Sequence, residues 1–276
     1  MGQTDALWRY DGRRAAVTGC ASGIGAQLVR QLTELGADVV GFDRDPPPFE
    51  VAEFHRVDLA DPASIDRAVT ELGGPVDALF NVAGVSSGIG DPLLVVTINF
   101  LGMRHFTEAV LATMPAGSAV VSVSSLAAAG YRDHQHTVAG LLNTRSMADG
   151  IQWCHRHPDA LAGGGYRLSK EAVILYTMAN TAALGARDIR INCTGPGVTE
   201  TPILDQLRTA YGQQFLDDIA KPLGRAADPA EQAAVLVFLN SAAASYISGQ
   251  VVWVDGGNLG ALAARDLQAE RESWPA

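Results

Sequence analysis

The sequence predicts an α/β domain, a doubly wound parallel sheet of about seven strands with helices on both faces. Three observations carry this. Short runs built mainly of Val, Ile, Ala and Leu alternate with segments of helical periodicity, the pattern of strands buried on both faces. The first run opens into a glycine-rich turn that leads directly into a helix. No linker, repeat or low-complexity tract divides the 276 residues, a length that one large core can accommodate.

RRAAVTG (13–19) is the first strand, and IGAQLVRQLTELG (24–36) then takes helical spacing, with Gly36 as its stop. DVVGFD (38–43) is the second strand, and PPP at 46–48 forbids an immediate helix. FHRVDL (54–59) reads as the third strand. DPASIDRAVTELG (61–73) reads as a helix with Asp61 as N-cap, Pro62 at the first position and Gly73 at the end. VDALFNVAG (76–84) is the fourth strand, 92–114 a long, mostly helical stretch, and SAVVSVSS (118–125) the fifth strand. An apolar helix over 171–185, strand IRINCTGPG (189–197), a helix over 230–240 and strand QVVWVDGG (250–257) complete the series. The expectation is a single Rossmann-type domain over 1–276, with ligands at the carboxyl ends of the strands.

Composition removes several function classes. With 47% hydrophobic and 18% charged residues the chain is not disordered. Its 20 Lys+Arg against 30 Asp+Glu give a net charge of -10, which disfavours a nucleic-acid partner. No unbroken apolar run reaches the length of about 18 residues that a span requires, and the start MGQTDALWRYDG lacks a signal-peptide profile. A soluble cytoplasmic protein without a membrane partner is expected. Cys20, Cys154 and Cys193 have no framework spacing, so reduced thiols are expected.

TGCASGIG (18–25) places Gly19, Gly23 and Gly25 between strand and helix. Glycines there let the backbone approach a pyrophosphate, and the helix N-terminus favours the anion. Tight turns also use glycine for steric reasons alone; the strand-turn-helix setting is what favours a nucleotide. No G-K-[ST] follows, so a Walker-type loop is set aside. Asp43 ends the second strand, placed to accept hydrogen bonds from a ribose and to repel a 2′-phosphate. Arg44 beside it offers a phosphate some compensation, but Cys20, Ala21 and Ser22 add no positive charge to the turn. NAD is therefore favoured over NADP as cofactor.

YRLSK (166–170) puts a phenol and an ammonium group one helical turn apart on one face. Moving hydride to or from an alcohol carbon requires a proton acid and base at the oxygen, and a free phenol with pKa about 10 is a poor base near neutrality. An ammonium about 4 Å away favours phenolate by roughly 4 kcal/mol at an effective dielectric of 20, about three pK units before desolvation opposes it. Tyr166 beside Lys170 is thus expected to titrate near neutral pH.

TGCASGIG, NVAG (81–84), Asn99 in INFLG, SVSS (122–125), YRLSK and RINCTGPG occur in the order typical of the short-chain dehydrogenase/reductase family, which the chain resembles over roughly residues 13–257. The resemblance implies that Thr18, Gly19, Ser22, Gly23, Ile24 and Gly25 hold the pyrophosphate side of NAD, with Asp43 and Arg44 beside the ribose. It also implies that Asp58 and Leu59 meet the adenine and that Asn81, Ala83 and Gly84 shape the groove. Pro196, Gly197, Val198 and Thr201 hold the nicotinamide amide, and Tyr166 and Lys170 its ribose. Catalysis is implied for Tyr166 as acid and base, Lys170 as its partner, Ser125 on the substrate oxygen and Asn99 on a water behind the lysine, leaving Ser122 and Ser124 structural. Within the family, Ser125 and Tyr166 commonly stand about a dozen residues apart, whereas here 41 separate them. Such an insertion, with GCASGIG, TGPGVTETP and the AASYISGQVVWVDGG ending, resembles the bacterial 3α-hydroxysteroid dehydrogenase/carbonyl reductase and coniferyl-alcohol dehydrogenase subgroup. The implied function is an NAD-dependent oxidoreductase on a small apolar alcohol or ketone, a hydroxysteroid dehydrogenase/carbonyl reductase first and an aromatic alcohol dehydrogenase second. A catalytically silent nucleotide sensor would have no reason to hold Asn99, Ser125, Tyr166 and Lys170 together. Sugar-nucleotide epimerases and dehydratases usually space the glycine turn differently and carry a larger C-terminal region.

The insertion, residues 126–165, carries apolar positions in AGLLNTR (139–145) and at Ile151 and Trp153, so two short helices are expected. In the family the helices corresponding to 92–114 and 166–185 commonly build a four-helix interface between subunits. The insertion is expected to cover that face and wall one side of the substrate pocket, leaving a homodimer formed through the last strand and its flanking helix; the competing reading is a disordered excursion from an ordinary homotetramer. His134, His136, Cys154, His155 and His157 fit no closed zinc pattern, so no metal is expected. Residues 201–220 read as a mobile substrate lid in preference to a surface helix pair. The tail, 258–276, reads equally as a frayed end or an interface element.

Overall fold

The computed structural model describes residues 3–272. A short helix α1 (Gln3–Ala6) precedes β1 (Arg14–Thr18), α2 (Gly23–Glu34), β2 (Asp38–Asp43), β3 (Glu53–Arg56), α3 (Pro62–Glu71) and β4 (Ala78–Asn81). There follow α4 (Pro92–Val96), a π-helical segment (Thr97–Gly102), α5 (Met103–Leu111) and β5 (Ala119–Val123). Next come α6 (Gln135–Leu142), α7 (Met147–Arg156), α8 (Tyr166–Gly185), β6 (Arg190–Pro196), α9 (Pro202–Tyr211), α10 (Gln213–Asp217), α11 (Pro229–Asn240), β7 (Val251–Val254) and α12 (Asn258–Glu272).

The seven strands are ordered β3-β2-β1-β4-β5-β6-β7, all parallel. The chain winds outward from β1 to β3, then crosses back to β4, so the direction of winding reverses between β1 and β4. Register aligns Thr18 with Phe42 on one side and Asn81 on the other, and Asn81 with Ser122. The carboxyl ends of the central strands therefore finish level, at the crevice where this topology takes its ligand.

Alternation along the strands builds two cores. Ala16, Val40, Phe42, Leu79 and Val120 face one layer with Phe100, Phe106, Val173 and Ile174. Ala15, Val17, Phe80 and Val121 face the other, against Leu28, Val29 and Leu32 of α2 and Leu236 and Val237 of α11. Local rules set the helix starts: Asp61 accepts from the Ala63 N–H at 3.0 Å with Pro62 behind it, and Asp228 with Glu231 closes a capping box on α11.

Three elements depart from the expectation. The third strand ends at Arg56, short of 59, because Asp58 makes its own turn, its carboxylate accepting the Ala60 N–H at 2.9 Å. The stretch 92–114 is interrupted by the π-helical segment, where Asn99 sits. Residues 201–220 divide at Gly212 into α9 and α10.

The insertion folds as two short helices. Val138, Leu141, Met147, Trp153 and Cys154 are buried in the same core as α8 and the π-helical segment. α6 packs on α8 and α7 on the π-helical segment. Arg104 of α5, itself buried, donates to the carbonyls of Leu142, Thr144 and Ser146 at 3.3, 2.9 and 3.3 Å and to the Thr144 hydroxyl at 3.1 Å. One guanidinium thus closes the turn between α6 and α7, taking up the carbonyls at the end of α6 and in the turn and sharing that of Ser146 with the Gly150 N–H. Glu171, fully buried on α8, accepts from His134 at 2.7 Å and from Arg167 at 3.3 Å, so the start of the insertion is pinned to α8 by a paired buried carboxylate. The tail forms α12 as far as Glu272; its last four positions, 273–276, lie outside the described residues.

Candidate active site

Thr18 closes β1 with its hydroxyl accepting the N–H groups of Val82 and Ala83 at 3.1 and 3.2 Å. That joins the glycine turn to the NVAG loop. Gly19 has φ +72°, and a Cβ there would stand 2.7 Å from the Ala83 backbone, so only glycine satisfies both the left-handed backbone and the close approach. Ser22 precedes α2 with no side-chain cap, leaving the first N–H groups of that helix directed to an anion. Ile24, in the first turn of α2, is partly buried against the core. At the end of β2, Asp43 accepts from the Ala21, Arg44 and Asp45 N–H groups at 3.0, 2.7 and 3.4 Å, which fixes its carboxylate beside the turn.

The far end of the groove meets this turn. Gly197 donates to the Val254 carbonyl at 3.0 Å, and a Cβ on it would stand 2.8 Å from Asp255 Cα. Thr201 Cγ2 lies 3.3 Å from where a Cβ on Gly23 would be. Pro196, Gly197, Val198 and Thr201 therefore border the same crevice as Gly23. Asp58 and Leu59 line the turn after β3, and Leu59 packs against Gly102 of the π-helical segment. Asn81 does not face the groove as a free amide: its Nδ2 donates to Thr107 and Ser122 at 2.9 and 3.0 Å. It supports the groove from beneath, with its Oδ1 buried and without a hydrogen-bond partner among the described residues.

Across the insertion, Ser125 and Tyr166 come together. Ser125 starts a 3₁₀ turn, its hydroxyl accepting the Ala127 N–H at 3.2 Å, and it stands close enough to the Tyr166 phenol to favour the ionised form. Ser124 is turned away and buried, donating to the Lys170 carbonyl at 2.7 Å; Ser122 is taken by Asn81. Of the three serines, Ser125 alone acts on the phenol. Gly163, Gly164 and Gly165 have φ of +72°, +87° and +71°, and this left-handed run delivers the chain from the insertion into Tyr166.

Lys170 is buried, its Nζ donating to the Val123 carbonyl at 2.9 Å and lying 5.8 Å from the Tyr166 ring centroid. Asn99 is committed in full: Oδ1 accepts the Val85 N–H at 2.8 Å, and Nδ2 donates to the Val85 carbonyl at 2.9 Å and to Ser169 at 3.2 Å. Ser169 in turn donates to the Tyr166 carbonyl at 2.7 Å, a packing role. A Cβ on Gly84 would meet Asn99 Oδ1 at 3.2 Å and Lys170 Nζ at 3.4 Å, so these two side chains converge on the NVAG loop.

The electrostatics differ from the expectation. Burial pushes the Tyr166 phenol above its ordinary value, with the neighbouring Ser125 hydroxyl acting against it. Burial pulls the Lys170 ammonium down to about 8. Lys170 Nζ lies beside the Tyr166 ring, and desolvation dominates over the attraction expected from spacing at both groups. Among the described residues no group of three or more His, Cys, Asp or Glu is placed to hold a metal; His134 pairs with Glu171, and His157 bonds the Trp153 carbonyl and stacks on its ring.

Comparison with known proteins follows the same lines. The profile of the NAD dependent epimerase/dehydratase family matches residues 15–147, and that of the enoyl-(acyl carrier protein) reductase group matches residues 159–258. The chain is 35% identical over 89% of its length to a coniferyl-alcohol dehydrogenase of Pseudomonas sp. strain HR199, covering 96% of that protein. It is 30% identical over 87% of its length to a 3α-hydroxysteroid dehydrogenase/carbonyl reductase of Comamonas testosteroni, covering 94% of it. Its fold is similar to the 3α-hydroxysteroid dehydrogenase of Pseudomonas sp. B-0831, solved with NADH, with a TM-score of 0.76 and 31% identity over 91% of this chain and 98% of that one.

Proposed function

The chain belongs to the short-chain dehydrogenase/reductase family, and from that premise we propose that it is an NAD-dependent oxidoreductase that interconverts an apolar alcohol and its carbonyl compound. The observation that carries the proposal is the meeting of Ser125 and Tyr166, with Lys170 beneath, at the strand ends beside the glycine turn, although 41 residues separate the first two in sequence. The residues present fit NAD: the turn at Gly19 has no room for a side chain, α2 has an uncapped N-terminus, and Asp43 is held where a 2′-phosphate would meet a carboxylate.

Bound NAD supplies the acceptor or donor of the hydride at the substrate carbon. Ser125 donates its hydroxyl proton to a hydrogen bond with the substrate oxygen. Tyr166 exchanges the proton of that same oxygen, taking it in oxidation and giving it in reduction. Lys170, fixed to Val123, holds its charge under the phenol and favours phenolate, while its burial keeps water from screening that charge. Asn99 holds the Val85 backbone and, through Ser169, the first turn of α8, which keeps Tyr166 in register with Ser125.

Hydroxysteroids and apolar ketones are the first substrate class. An aromatic, coniferyl-type alcohol is the second, favoured by the 35% identity to the coniferyl-alcohol dehydrogenase against 30% to the hydroxysteroid enzyme. Formation of reduced nicotinamide from NAD with a 3α-hydroxysteroid and, separately, with coniferyl alcohol discriminates them by kcat/KM; silence with both and with a wider panel of apolar alcohols would count against the reading. The proposal includes a cytoplasmic location, supported by three free, buried cysteines. It also includes assembly as a dimer through the β7 edge and α11, supported by α6 and α7 lying over α8 and the π-helical segment.

A further inference from the structure

The segment between β6 and α11 leaves and re-enters the fold at one place. Thr199 and Ala227 form a parallel β-bridge, with the Ala227 N–H donating to the Val198 carbonyl at 2.9 Å and the Glu200 N–H to the Ala227 carbonyl at 3.0 Å. Residues 200–226 are thus a flap on a single base, carrying α9 and α10. Its return limb is tied down at Ala220, whose carbonyl accepts from Asn258 at 2.7 Å, while Lys221 closes the limb on itself by donating to the Leu216 and Ile219 carbonyls at 2.6 and 3.0 Å. Its outgoing limb, α9, reaches across to the loop that follows β4. There the Ser86 hydroxyl donates to Gln206 Oε1 at 3.2 Å. Gly88 lies beneath α9, and a Cβ on it would stand 3.0 Å from the Gln206 carbonyl and 3.3 Å from Ala210 Cβ.

Ser86 is an unusual residue for a chance surface contact. It is fully buried, and its hydroxyl already accepts the Gly88 N–H at 3.2 Å, so its position is fixed before Gln206 arrives. Its neighbour Val85 is gripped through both N–H and carbonyl by Asn99. The bond therefore joins a hinged element to the frame that carries Asn99 and Gly84. We propose that Ser86–Gln206 is the latch of this flap and that Gln206 is a positioning residue, holding α9 closed beside the crevice while Ser125 and Tyr166 engage substrate. Ligand exchange requires the latch to break. The kinetic consequence rests on the oxidoreductase reading; the structural one does not.

Three variants separate the possibilities. Gln206→Met keeps length and removes the acceptor, Gln206→Glu keeps an acceptor, and Gly88→Ala inserts a methyl group under α9. Trypsin cleavage after Arg208, followed without ligand, reads flap opening directly. Loss of one net hydrogen bond should speed that cleavage about five-fold in Gln206→Met, and Gly88→Ala should do the same, with Gln206→Glu near wild type. With a turned-over alcohol, KM should rise by a similar factor while kcat holds or increases, a split that mere loss of helix stability would not produce. Wild-type cleavage and KM in both Gln206→Met and Gly88→Ala would overturn the latch, as would equal acceleration in Gln206→Glu. Absence of turnover in the wild type, with the cleavage pattern as expected, would sink the oxidoreductase reading and leave the latch standing.

Discussion

Tyr166 and Lys170 are displaced in opposite directions by burial, the phenol upward and the ammonium to about 8, and this sets the pH dependence of the reaction. The pair loses its first proton as a unit, and one form of the singly deprotonated pair is phenolate beside ammonium, the form able to accept a proton from an alcohol. Oxidation kcat/KM should therefore climb by about tenfold per pH unit on the acid side and level above about 8. Reduction, which uses the neutral phenol, should fall over the same range. In Lys170→Met the oxidation plateau should move above the ordinary tyrosine range, because the raised phenol then titrates alone; a plateau already reached at pH 6 in the wild type would contradict this. Ser125→Ala should lower kcat by about 10²- to 10³-fold, whereas Ser124→Ala should chiefly lower the melting temperature, since its hydroxyl holds the Lys170 carbonyl. The reverse ranking would reassign the two serines. Asp43→Ala should relax the preference for NAD, measured as the ratio of kcat/KM with NAD and NADP; equal use of both by the wild type would contradict the role of its carboxylate.

At the scale of elements, the insertion is part of the core and not a detachable wall. Val138, Leu141, Met147 and Trp153 share a cluster with Leu168, Val173 and Ile174 of α8, so deleting residues 130–160 should unfold the chain and not merely silence it. A milder test is Arg104→Met. It leaves the carbonyls of Leu142 and Thr144 without their donor, that of Ser146 keeping the Gly150 N–H, and should cost about 1–3 kcal/mol in denaturant unfolding; an unchanged midpoint would show that the clamp contributes nothing. The alternation of Val-rich runs with helical periods made the seven strands legible, and the apolar positions of 138–142 and 151–153 made two helices legible. The clamp was not, because Arg104 in a mostly helical stretch reads as a solvated residue until the folded insertion supplies its carbonyls. Glu171 escaped notice for the same reason: its partners are His134, within the insertion, and Arg167, one turn away. The π-helical segment that holds Asn99 has no local composition cue; its neighbours are distant in sequence, Leu59 against Gly102 and Gly150 of α7 against Leu101. Motif order located Ser125, Tyr166 and Lys170, but the balance of desolvation over attraction depends on a distance that spacing along a helix does not fix.

For the whole molecule, the covered face of α8 and the exposed sheet edge at β7 together predict a dimer, seen as twice the chain mass by light scattering; a tetramer that retains the packed insertion would contradict that assembly. No helix among the described residues is long and apolar enough to cross a membrane. The parts of the chain that carry the proposed chemistry come from its beginning, middle and end: the glycine turn after β1, Ser125 and Tyr166 on either side of the insertion, and Thr201 at the root of the flap. They form one site only when the sheet is complete. The most direct measurement is the appearance of reduced nicotinamide when the purified chain is mixed with NAD and apolar alcohols, run beside Tyr166→Phe, with binding of reduced NAD followed by fluorescence in both. The account predicts turnover in the wild type, its loss in the variant and equal cofactor binding. Turnover that survives Tyr166→Phe, or a wild type that binds the cofactor and oxidises none of the alcohols, would contradict it.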